Sequence, residues 1–218
     1  MDLSTIEKFY ILTNYPLKAG WTINSKAIGA GIISSVFIDL IQEKSIEISN
    51  NKIFSKTTNT ELGNLHKDIL SRINGKSRQL KISTWITRLM ERSDRYKKEI
   101  RQSLYSKELF EIKQGRFLLF KWEYKKLKKE IISEVLDHLR SIIFKGRIPD
   151  QEDYPILTLL YLSESFKVIC SNNSEYRYCK EKLSNLVQKN RQYKKIGQII
   201  EKIRNAANQG GIALAAGN

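Results

Sequence analysis

Apolar residues recur at helical spacing along most of this 218-residue chain, and that period constrains the fold more than any other feature. From Ser25 onward the intervals are three, four and one, which is the stripe of an amphipathic helix. The positions are Ile28, Ile32, Ile33, Val36, Phe37, Leu40 and Ile41. Similar stripes predict helices near residues 4–13, 62–73, 83–90, 93–104, 127–143, 175–189 and 192–207. The chain is therefore predicted to be mainly α-helical.

Two short stretches change to the alternating period of β-strands. Residues 45–48 and 52–54 are joined by Asn50-Asn51, a dipeptide suited to the left-handed conformations of a tight hairpin turn. A second pair of strands is predicted at residues 109–112 and 117–122, with the turn at Gln114-Gly115. Each hairpin follows a helix and a lysine, so the segments VFIDLIQEKSIEISNNKIF and EIRQSLYSKELFEIKQGRFLLF share one layout. We therefore predict two helix–hairpin units.

The segment PILTLLYLSESFKVI is apolar on nearly every side and is predicted to be the central buried helix. It follows Asp153, which is placed to cap the helix, and begins with Pro155, which suits an early helical position. The predicted fold class is mainly α, a central helix bundle surrounded by amphipathic helices with two short β-hairpins. No linker separates a second domain, so residues 1–208 are expected to form one domain and 209–218 a flexible tail.

Positive charge is the strongest compositional signal. The chain has 38 Lys and Arg against 23 Asp and Glu, a net charge of +15, and residues 67–147 alone hold 22 basic and 10 acidic residues. Such a field attracts polyanions, either nucleic acid or an anionic membrane, although a solvated surface without a partner is the simpler alternative. No apolar run reaches the length of a membrane span, and Asp2 and Glu7 do not suit a signal peptide, so a cytoplasmic protein is expected.

The sequence contains no recognisable catalytic constellation. Cys170 and Cys179 form no CxxC pair, so reduced thiols are expected rather than a disulfide framework. His66 and His138 each stand alone on a helical segment, which is far more typical of a structural or surface histidine than of a catalytic base. Nucleotide-binding, hydrolase and metalloprotease motifs are absent from the sequence. We predict a protein without enzymatic activity, cofactor or metal.

The second hairpin combines apolar and cationic residues. The stretch FLLF, residues 117–120, follows the predicted turn and precedes a run of lysines. Because successive strand residues point to opposite faces, Leu118, Phe120 and Trp122 are expected to share one face. One face of the strand can serve the core, and the other needs cover from the same chain, a partner subunit or lipid. Lys113 and Arg116 at the predicted turn make the tip suited to an anionic membrane or a phosphate backbone.

Several segments occur in an order and spacing that extend from about residue 4 to residue 205. They are ISSVFIDLIQEKSIEI, TNTELGNLHKDIL, WITRL, IRQSLYSKELFEIKQGRFLLF and EVLDHLRSIIFKGRIPDQEDYPILTLLYLSES. In this arrangement the chain resembles the Golgi phosphoprotein 3 family. Eukaryotic members of that family are peripheral proteins that bind phosphatidylinositol 4-phosphate and help to retain membrane enzymes in the Golgi.

The resemblance implies two contact sites. In eukaryotic members a tryptophan and three arginines hold the headgroup phosphates, and these positions fall near Asn24 and on Ile33, Asp94 and Lys97. The candidate headgroup-binding residues of this chain are Trp21, Arg95, Lys97, Lys98 and Arg101. The resemblance also implies a hairpin, residues 109–120, that aids membrane contact and self-association. Its candidate contact residues are Lys113, Arg116, Phe117, Leu118, Leu119 and Phe120.

Three functions remain open from the sequence. The first is a trafficking or retention adaptor that binds a phosphoinositide or other anionic lipid on the cytosolic face of a membrane, with self-association through the hairpin. The second is a winged-helix-like nucleic-acid binder, because a helix followed by a basic hairpin also describes a recognition helix beside a wing; residues 95–102 could then supply base contacts. The third is an interaction module with an incidental basic face. The order of the remaining helices favours the first.

Overall fold

The structure is a computed structural model that describes residues 3–15, 25–56, 63–76, 78–117, 120–189 and 201. In these residues the chain forms helices and two separate antiparallel hairpins, which confirms the predicted fold class. The helices are α1 (Thr5–Asn14), α2 (Ser25–Gln42), α3 (Asn64–Asn74), α4 (Ile82–Met90), α5 (Ser93–Ser106), α6 (Lys129–Phe144), α7 (Asp153–Leu162), a 3-10 helix (Ser165–Ile169) and α8 (Asn173–Lys189). The strands are β1 (Ile46–Ser49), β2 (Lys52–Ser55), β3 (Phe110–Phe117) and β4 (Phe120–Leu127). Nearly all of the last predicted helix and the tail from residue 209 lie outside the described residues.

Helix α1 begins with a capping box that also reaches another helix. The amide of Glu7 donates to Ser4 Oγ at 3.4 Å, and the amide of Ser4 donates to Glu7 Oε2 at 2.9 Å. The buried Glu7 carboxylate also accepts hydrogen bonds from Lys107 Nζ at 2.7 Å and Ser103 Oγ at 2.8 Å. Burial raises the pKa of Glu7, but these donors outweigh it and hold the pKa below its usual value. The charged cap therefore fastens α1 to the end of α5.

Helix α2 lies at the centre of the fold. It packs against α1, α3, α4, α5, α7 and β1, and it is buried around most of its circumference rather than along a single stripe. The predicted burial of residues 155–169 is confirmed for most of them, but the prediction that they form one central helix is wrong, because the chain breaks there into α7 and a 3-10 helix and α2 takes the central place. Glu164 adopts a left-handed φ of 53°, and the hydroxyl of Ser163 donates to the Leu159 carbonyl at 2.6 Å. A left-handed residue cannot continue an α-helix, so α7 ends at this point.

Two glycines of α2 allow other elements to approach its backbone closely. A side chain at Gly31 would collide with the ring of Phe9, which is fully buried in α1. A side chain at Gly29 would lie against Ser93 of α5 and the flexible end of Met90. The absence of a Cβ at these positions brings α1 and α5 against the central helix.

The two predicted helix–hairpin units are confirmed, and they share one connection. Lys44 and Glu108 both adopt left-handed conformations between a helix and the following strand, with φ values of 55° and 57°. In each connection the amide of the left-handed residue donates to the carbonyl three residues earlier, that of Ile41 or Tyr105. The amide of the following residue donates to the carbonyl five residues before it, that of Leu40 or Leu104. These bonds satisfy carbonyls that the end of each helix leaves unpaired. In the first hairpin Asn50 and Asn51 have φ values of 48° and 60°, as predicted for its two-residue turn.

The predicted turn of the second hairpin is wrong. Gln114 and Gly115 lie inside β3, and the last pair of the ladder is Phe117 with Phe120. Gly115 pairs with Trp122, whose indole occupies the space that a side chain at Gly115 would need. Glycine is present here because it accommodates a large ring across the ladder, and not because the chain reverses. The stretch FLLF therefore contains the end of β3 and the beginning of β4.

Candidate functional site

Helix α5 divides the predicted headgroup residues into two groups. Lys97, Lys98 and Arg101 lie within one turn and share a face, here called the cationic face. Arg95 instead contacts two carboxylates: its Nε donates to Glu99 Oε1 at 2.9 Å, and its guanidinium lies 3.7 Å from Asp68 Oδ1 of α3. The hydrogen bond to Glu99 and the charge of Asp68 raise the pKa of Arg95. Arg95 is thus paired with carboxylates inside the chain, although it lies one helical turn from Lys98 on the same helix.

Lys97 is held between two helices. Its Nζ donates to Ser25 Oγ at 2.7 Å and lies 3.1 Å from Asp94 Oδ1, and only 14% of its side chain is exposed. Ser25 is the first residue of α2, so this contact fixes the beginning of the central helix against α5. Of the positions that align with the family's arginines, Ile33 is fully buried and cannot reach a headgroup. Among the three aligned positions, Ile33, Asp94 and Lys97, only Lys97 carries a positive charge.

Arg101 is oriented by a buried phenol. Its Nε and one terminal nitrogen each lie 3.4 Å from the hydroxyl of Tyr10, a residue of α1 without solvent exposure. The hydrogen bond to Tyr10 raises the pKa of the Arg101 guanidinium. Lys98, between Lys97 and Arg101 along the helix, is exposed. The cationic face therefore presents one exposed lysine beside two cations whose positions are set by neighbouring helices.

An aromatic cluster joins the cationic face to the base of the second hairpin. Tyr15 lies 6.2 Å from Tyr10 and 6.1 Å from Phe110, and Tyr105 lies 4.2 Å from Phe110, measured between ring centroids. Lys125 of β4 places its Nζ 4.7 Å from the centre of the Tyr105 ring. Burial, followed by the influence of Tyr10, raises the pKa of Tyr15 to about 12. Its phenol stays neutral beside the cations, and the hairpin base is anchored to α5.

The two described residues that flank positions 16–24 both lie beside the cationic face. The residue before this segment, Tyr15, belongs to the aromatic cluster, and the residue after it, Ser25, binds Lys97. Trp21, the predicted aromatic contact, is part of the segment and lies outside the described residues. The structure therefore brings both ends of the Trp21 segment to the predicted cations.

The second hairpin exposes large apolar side chains. Ile112, Trp122 and Tyr124 are 65%, 49% and 45% exposed. The register pairs Trp122 with Gly115 and Tyr124 with Lys113, so these four residues share one face of the ladder. Lys113 lies 3.0 Å from Glu111 Oε2. Among the other predicted contact residues, the structure describes the backbone pairing of Arg116, Phe117 and Phe120, whereas Leu118 and Leu119 lie outside its described part.

The two histidines, each alone on its helical segment in the sequence, both contact an aspartate of another helix. His66 Nε2 lies 2.8 Å from Asp39 Oδ2, which links α3 to α2, and His138 Nε2 lies 2.5 Å from Asp153 Oδ1, which links α6 to α7. Asp153 is the first residue of α7 rather than its cap, and its other oxygen accepts from the Asp150 amide at 3.1 Å. Within the described ranges no three His, Cys, Asp or Glu side chains are grouped to hold a metal ion.

Sequence reasoning missed the partners of the cationic face. Tyr10, Tyr105 and Lys125 come from α1, α5 and β4, and each reads in the sequence as part of an ordinary stripe or lysine run. Their role depends on contacts between distant elements, as between Tyr10 and Arg101, which are 91 residues apart. A local pattern carries no signal for such a contact.

Comparison with known proteins identifies a family over most of the chain. The family model described as Golgi phosphoprotein 3 (GPP34) matches residues 6–203. The curated proteins provide no match. In the part of the chain that the structure describes, no helix is both long and apolar enough to cross a membrane.

Proposed function

The chain belongs to the Golgi phosphoprotein 3 family, and from this premise we propose that it is a peripheral membrane protein that binds anionic phospholipid headgroups. In this proposal it acts as a trafficking or retention adaptor, without catalysis, cofactor or metal. Eukaryotic relatives bind phosphatidylinositol 4-phosphate. For this chain we propose binding to anionic headgroups in general. The observation that carries it is the grouping of Lys97, Lys98 and Arg101 beside both ends of the segment that contains Trp21.

The geometry of the cationic face favours anion binding for two reasons. Near an anionic leaflet each Lys or Arg contributes about 1 kcal/mol, so three of them contribute about 3 kcal/mol. Lys97 and Arg101 are already oriented by Ser25 and Tyr10, which reduces the conformational entropy that binding would cost. Lys125, above Tyr105, extends the positive charge toward the hairpin. The face and the hairpin base can therefore meet one anionic surface together.

The turn of the second hairpin supports a further contact with lipid or with another copy of the chain. The pair Phe117 and Phe120 leaves two residues for the reversal, and two-residue turns favour Asn, Asp and Gly. The first hairpin follows this preference with Asn50-Asn51, whereas the second has Leu118-Leu119. An apolar pair between these strands is unfavourable for a two-residue turn. It becomes favourable if lipid or another copy of the chain buries the two leucine side chains. We propose that the tip inserts into the membrane interface or self-associates.

Vesicle binding should depend on both lipid charge and salt. We expect the protein to co-sediment with phosphatidylserine vesicles, to bind phosphatidylcholine vesicles weakly, and to lose bound fraction as ionic strength rises. The physical reason is screening, because the Debye length falls from about 30 Å at 0.01 M to about 8 Å at 0.15 M salt. Equal binding to both vesicles would contradict the proposal. A mobility shift of duplex DNA at physiological salt, without vesicle binding, would favour the winged-helix alternative instead.

Replacing the apolar tip should weaken membrane contact or self-association without unfolding the protein. In the double variant Leu118→Asn with Leu119→Gly, the new residues suit a two-residue turn, so the ladder is expected to persist. We expect a smaller fraction bound to phosphatidylserine vesicles or a smaller sedimenting mass in solution. Ile148→Asn is the control, because Ile148 is 85% exposed in the connection between α6 and α7. If the tip variant matches the wild type in both measurements, the hairpin has neither role.

A further inference from the structure

The aromatic side chains behind the tip of the second hairpin have no role in the function proposed above. That function uses the cationic face and the two leucines of the turn, whereas Trp122 and Tyr124 lie further along β4 and are 49% and 45% exposed. They share one face of the ladder with Gly115 and Lys113. Tryptophan is on average highly buried, and neighbouring exposed aromatic rings indicate a surface that contacts a partner.

The indole of Trp122 is held in one orientation by the residue opposite it. A Cβ at Gly115 would lie 2.6 Å from Trp122 Cζ2 and 2.7 Å from its Nε1, so the ring covers the Gly115 backbone. Glycine weakens the interior of a strand, and the close approach of another group is a common reason for its presence there. A ring that is already oriented loses less conformational entropy on binding than one that rotates freely. Trp122 is therefore a preorganised contact.

Residue types at alternate positions of the ladder change in a fixed order from its end to its base. An apolar pair comes first, aromatic residues next and a charged pair last: Phe117–Phe120, Gly115–Trp122, Lys113–Tyr124 and Glu111–Lys126. A membrane interface changes in the same order from acyl chains to headgroups, and Trp and Tyr are enriched at the boundary. At a rise of about 3.4 Å per residue, Trp122 lies about 10 Å along the strand from Leu119, and Tyr124 about 17 Å.

The open edges of this hairpin limit how far it can enter a bilayer. Within the described residues β3 and β4 pair only with each other, so each strand has one outer edge that no further strand covers. Backbone groups on such edges bond to water or to lipid headgroups, and the acyl region offers neither. Interfacial amphipathic helices bury their apolar face about 5–10 Å deep. The stretch of about 10 Å from Leu119 to Trp122 matches this depth, so the hairpin suits shallow insertion.

Charge favours an anionic bilayer over a second copy of the chain as the partner. Residues 110–127 contain five basic and two acidic residues. Even with Lys113 paired to Glu111 at 3.0 Å, the hairpin keeps a net positive charge. A second copy would bring the same charge and be repelled, whereas anionic headgroups would neutralise it. Lys126 lies two residues closer to the base than Tyr124, so its charge lies behind the aromatic rings, on the side of the headgroup phosphates.

We propose that Trp122 and Tyr124 lie at the boundary between the headgroups and the acyl chains of an anionic bilayer, and that Trp122 sets the depth to which the hairpin tip enters. This inference rests on the proposed membrane function and assigns the aromatic face of the hairpin to it. The Trp122 ring packs against acyl chains while its N–H donates to lipid ester or phosphate oxygens. Lys113 and Lys126 extend toward the phosphates, because long basic side chains keep their charged ends in the headgroup layer.

The depth of Trp122 can be measured by its fluorescence. The variant Trp21→Phe with Trp85→Phe leaves Trp122 alone of the three tryptophans. It is mixed with vesicles of phosphatidylserine and phosphatidylcholine whose acyl chains carry bromine either near the glycerol or near the terminal methyl group. We expect emission to move to shorter wavelength, and bromine near the glycerol to quench it more strongly. If the two replacements destabilise the fold, 5-fluorotryptophan in the unaltered chain reports the same depth through spin-labelled lipids, with the Trp122 signal assigned by Trp122→Phe.

Trp122→Ala should weaken binding to these vesicles by about tenfold, because a half-exposed ring gains about half of the burial of a complete aromatic side chain. Tyr178→Ala is the matched control. Tyr178 is also 49% exposed, but it lies on α8 and stacks on Phe144 of α6, with 5.8 Å between ring centroids. The control should leave vesicle binding unchanged, and circular dichroism checks that both variants are folded.

The bound fraction, measured by co-sedimentation of the same samples, separates this inference from the proposed function. Three results would each overturn the depth role while the membrane function stands: binding without quenching, stronger quenching by bromine near the methyl group, or equal losses in Trp122→Ala and Tyr178→Ala. Absence of binding to phosphatidylserine vesicles would overturn both proposals. A shorter emission wavelength of Trp122 together with a larger sedimenting mass, in protein without vesicles, would assign the aromatic face to a second copy of the chain and overturn the contact with lipid.

Discussion

Replacing Lys97, Lys98 and Arg101 together by glutamate should abolish binding to anionic vesicles. The substitution changes the cationic face from three positive to three negative charges. At about 1 kcal/mol for each cation near an anionic leaflet, the lost attraction alone amounts to about 3 kcal/mol, or more than a hundredfold in affinity, and repulsion adds to it. The measurement is the fraction of protein that co-sediments with phosphatidylserine vesicles at one fixed ionic strength.

The fold of this variant needs its own control, because Lys97 also binds Ser25 at the beginning of α2. Glutamine at the same three positions keeps hydrogen-bonding capacity without reversing charge, and it should give an intermediate loss. The matched control changes three exposed cations, Lys145, Arg177 and Lys180, to glutamate, which alters net charge equally on α8 and after α6. Circular dichroism during heating checks that each variant is folded. Equal losses in both triple-glutamate variants would assign binding to net charge rather than to the cationic face.

Gly31→Ala should destabilise the protein by about 2 kcal/mol, although alanine is the better helix former. Within a helix, alanine is favoured over glycine by about 1 kcal/mol. The added methyl group, however, would overlap the ring of the fully buried Phe9, and overpacking of a core costs about 1–3 kcal/mol. Because the overlap is with a rigid, buried ring, we expect a packing cost at the upper end of that range, about 3 kcal/mol. This cost outweighs the gain in helix propensity from alanine. Urea unfolding measures the free energy directly.

A double-mutant cycle identifies the cause of this loss. Phe9→Leu creates space beside Gly31, so the combination with Gly31→Ala should be less destabilising than the sum of the two single changes. Gly29→Ala serves as the comparison, because a methyl group there would meet Ser93 Cβ at 2.9 Å and the flexible end of Met90 at 3.2 Å, a smaller overlap than the one with the Phe9 ring. It should therefore cost less than Gly31→Ala. Additive free energies in the cycle would contradict the direct clash with Phe9.

The local sequence determined the elements and their class. Helical periodicity predicted α1, α2, α5 and α8 closely, because apolar residues recur at helical spacing within each segment and α1 also carries its own cap at Ser4. The Asn50-Asn51 turn was predicted for the same reason, since asparagine tolerates positive φ without help from distant residues. The repeated helix–hairpin layout was also visible, because the residues of each connection are adjacent in the chain.

Tertiary structure alone decided how these elements meet. Gly115 reads as a turn residue until Trp122 is placed across the ladder from it, and the apolar segment after Pro155 reads as one helix until the break at Ser163 is known. The candidate site depends on the same kind of contact: Lys97 with Ser25 and Arg101 with Tyr10 join residues 72 and 91 positions apart. The spacing of apolar residues predicts which face of a helix or strand is buried. Which residues that face contacts depends on packing between elements that are distant in the chain.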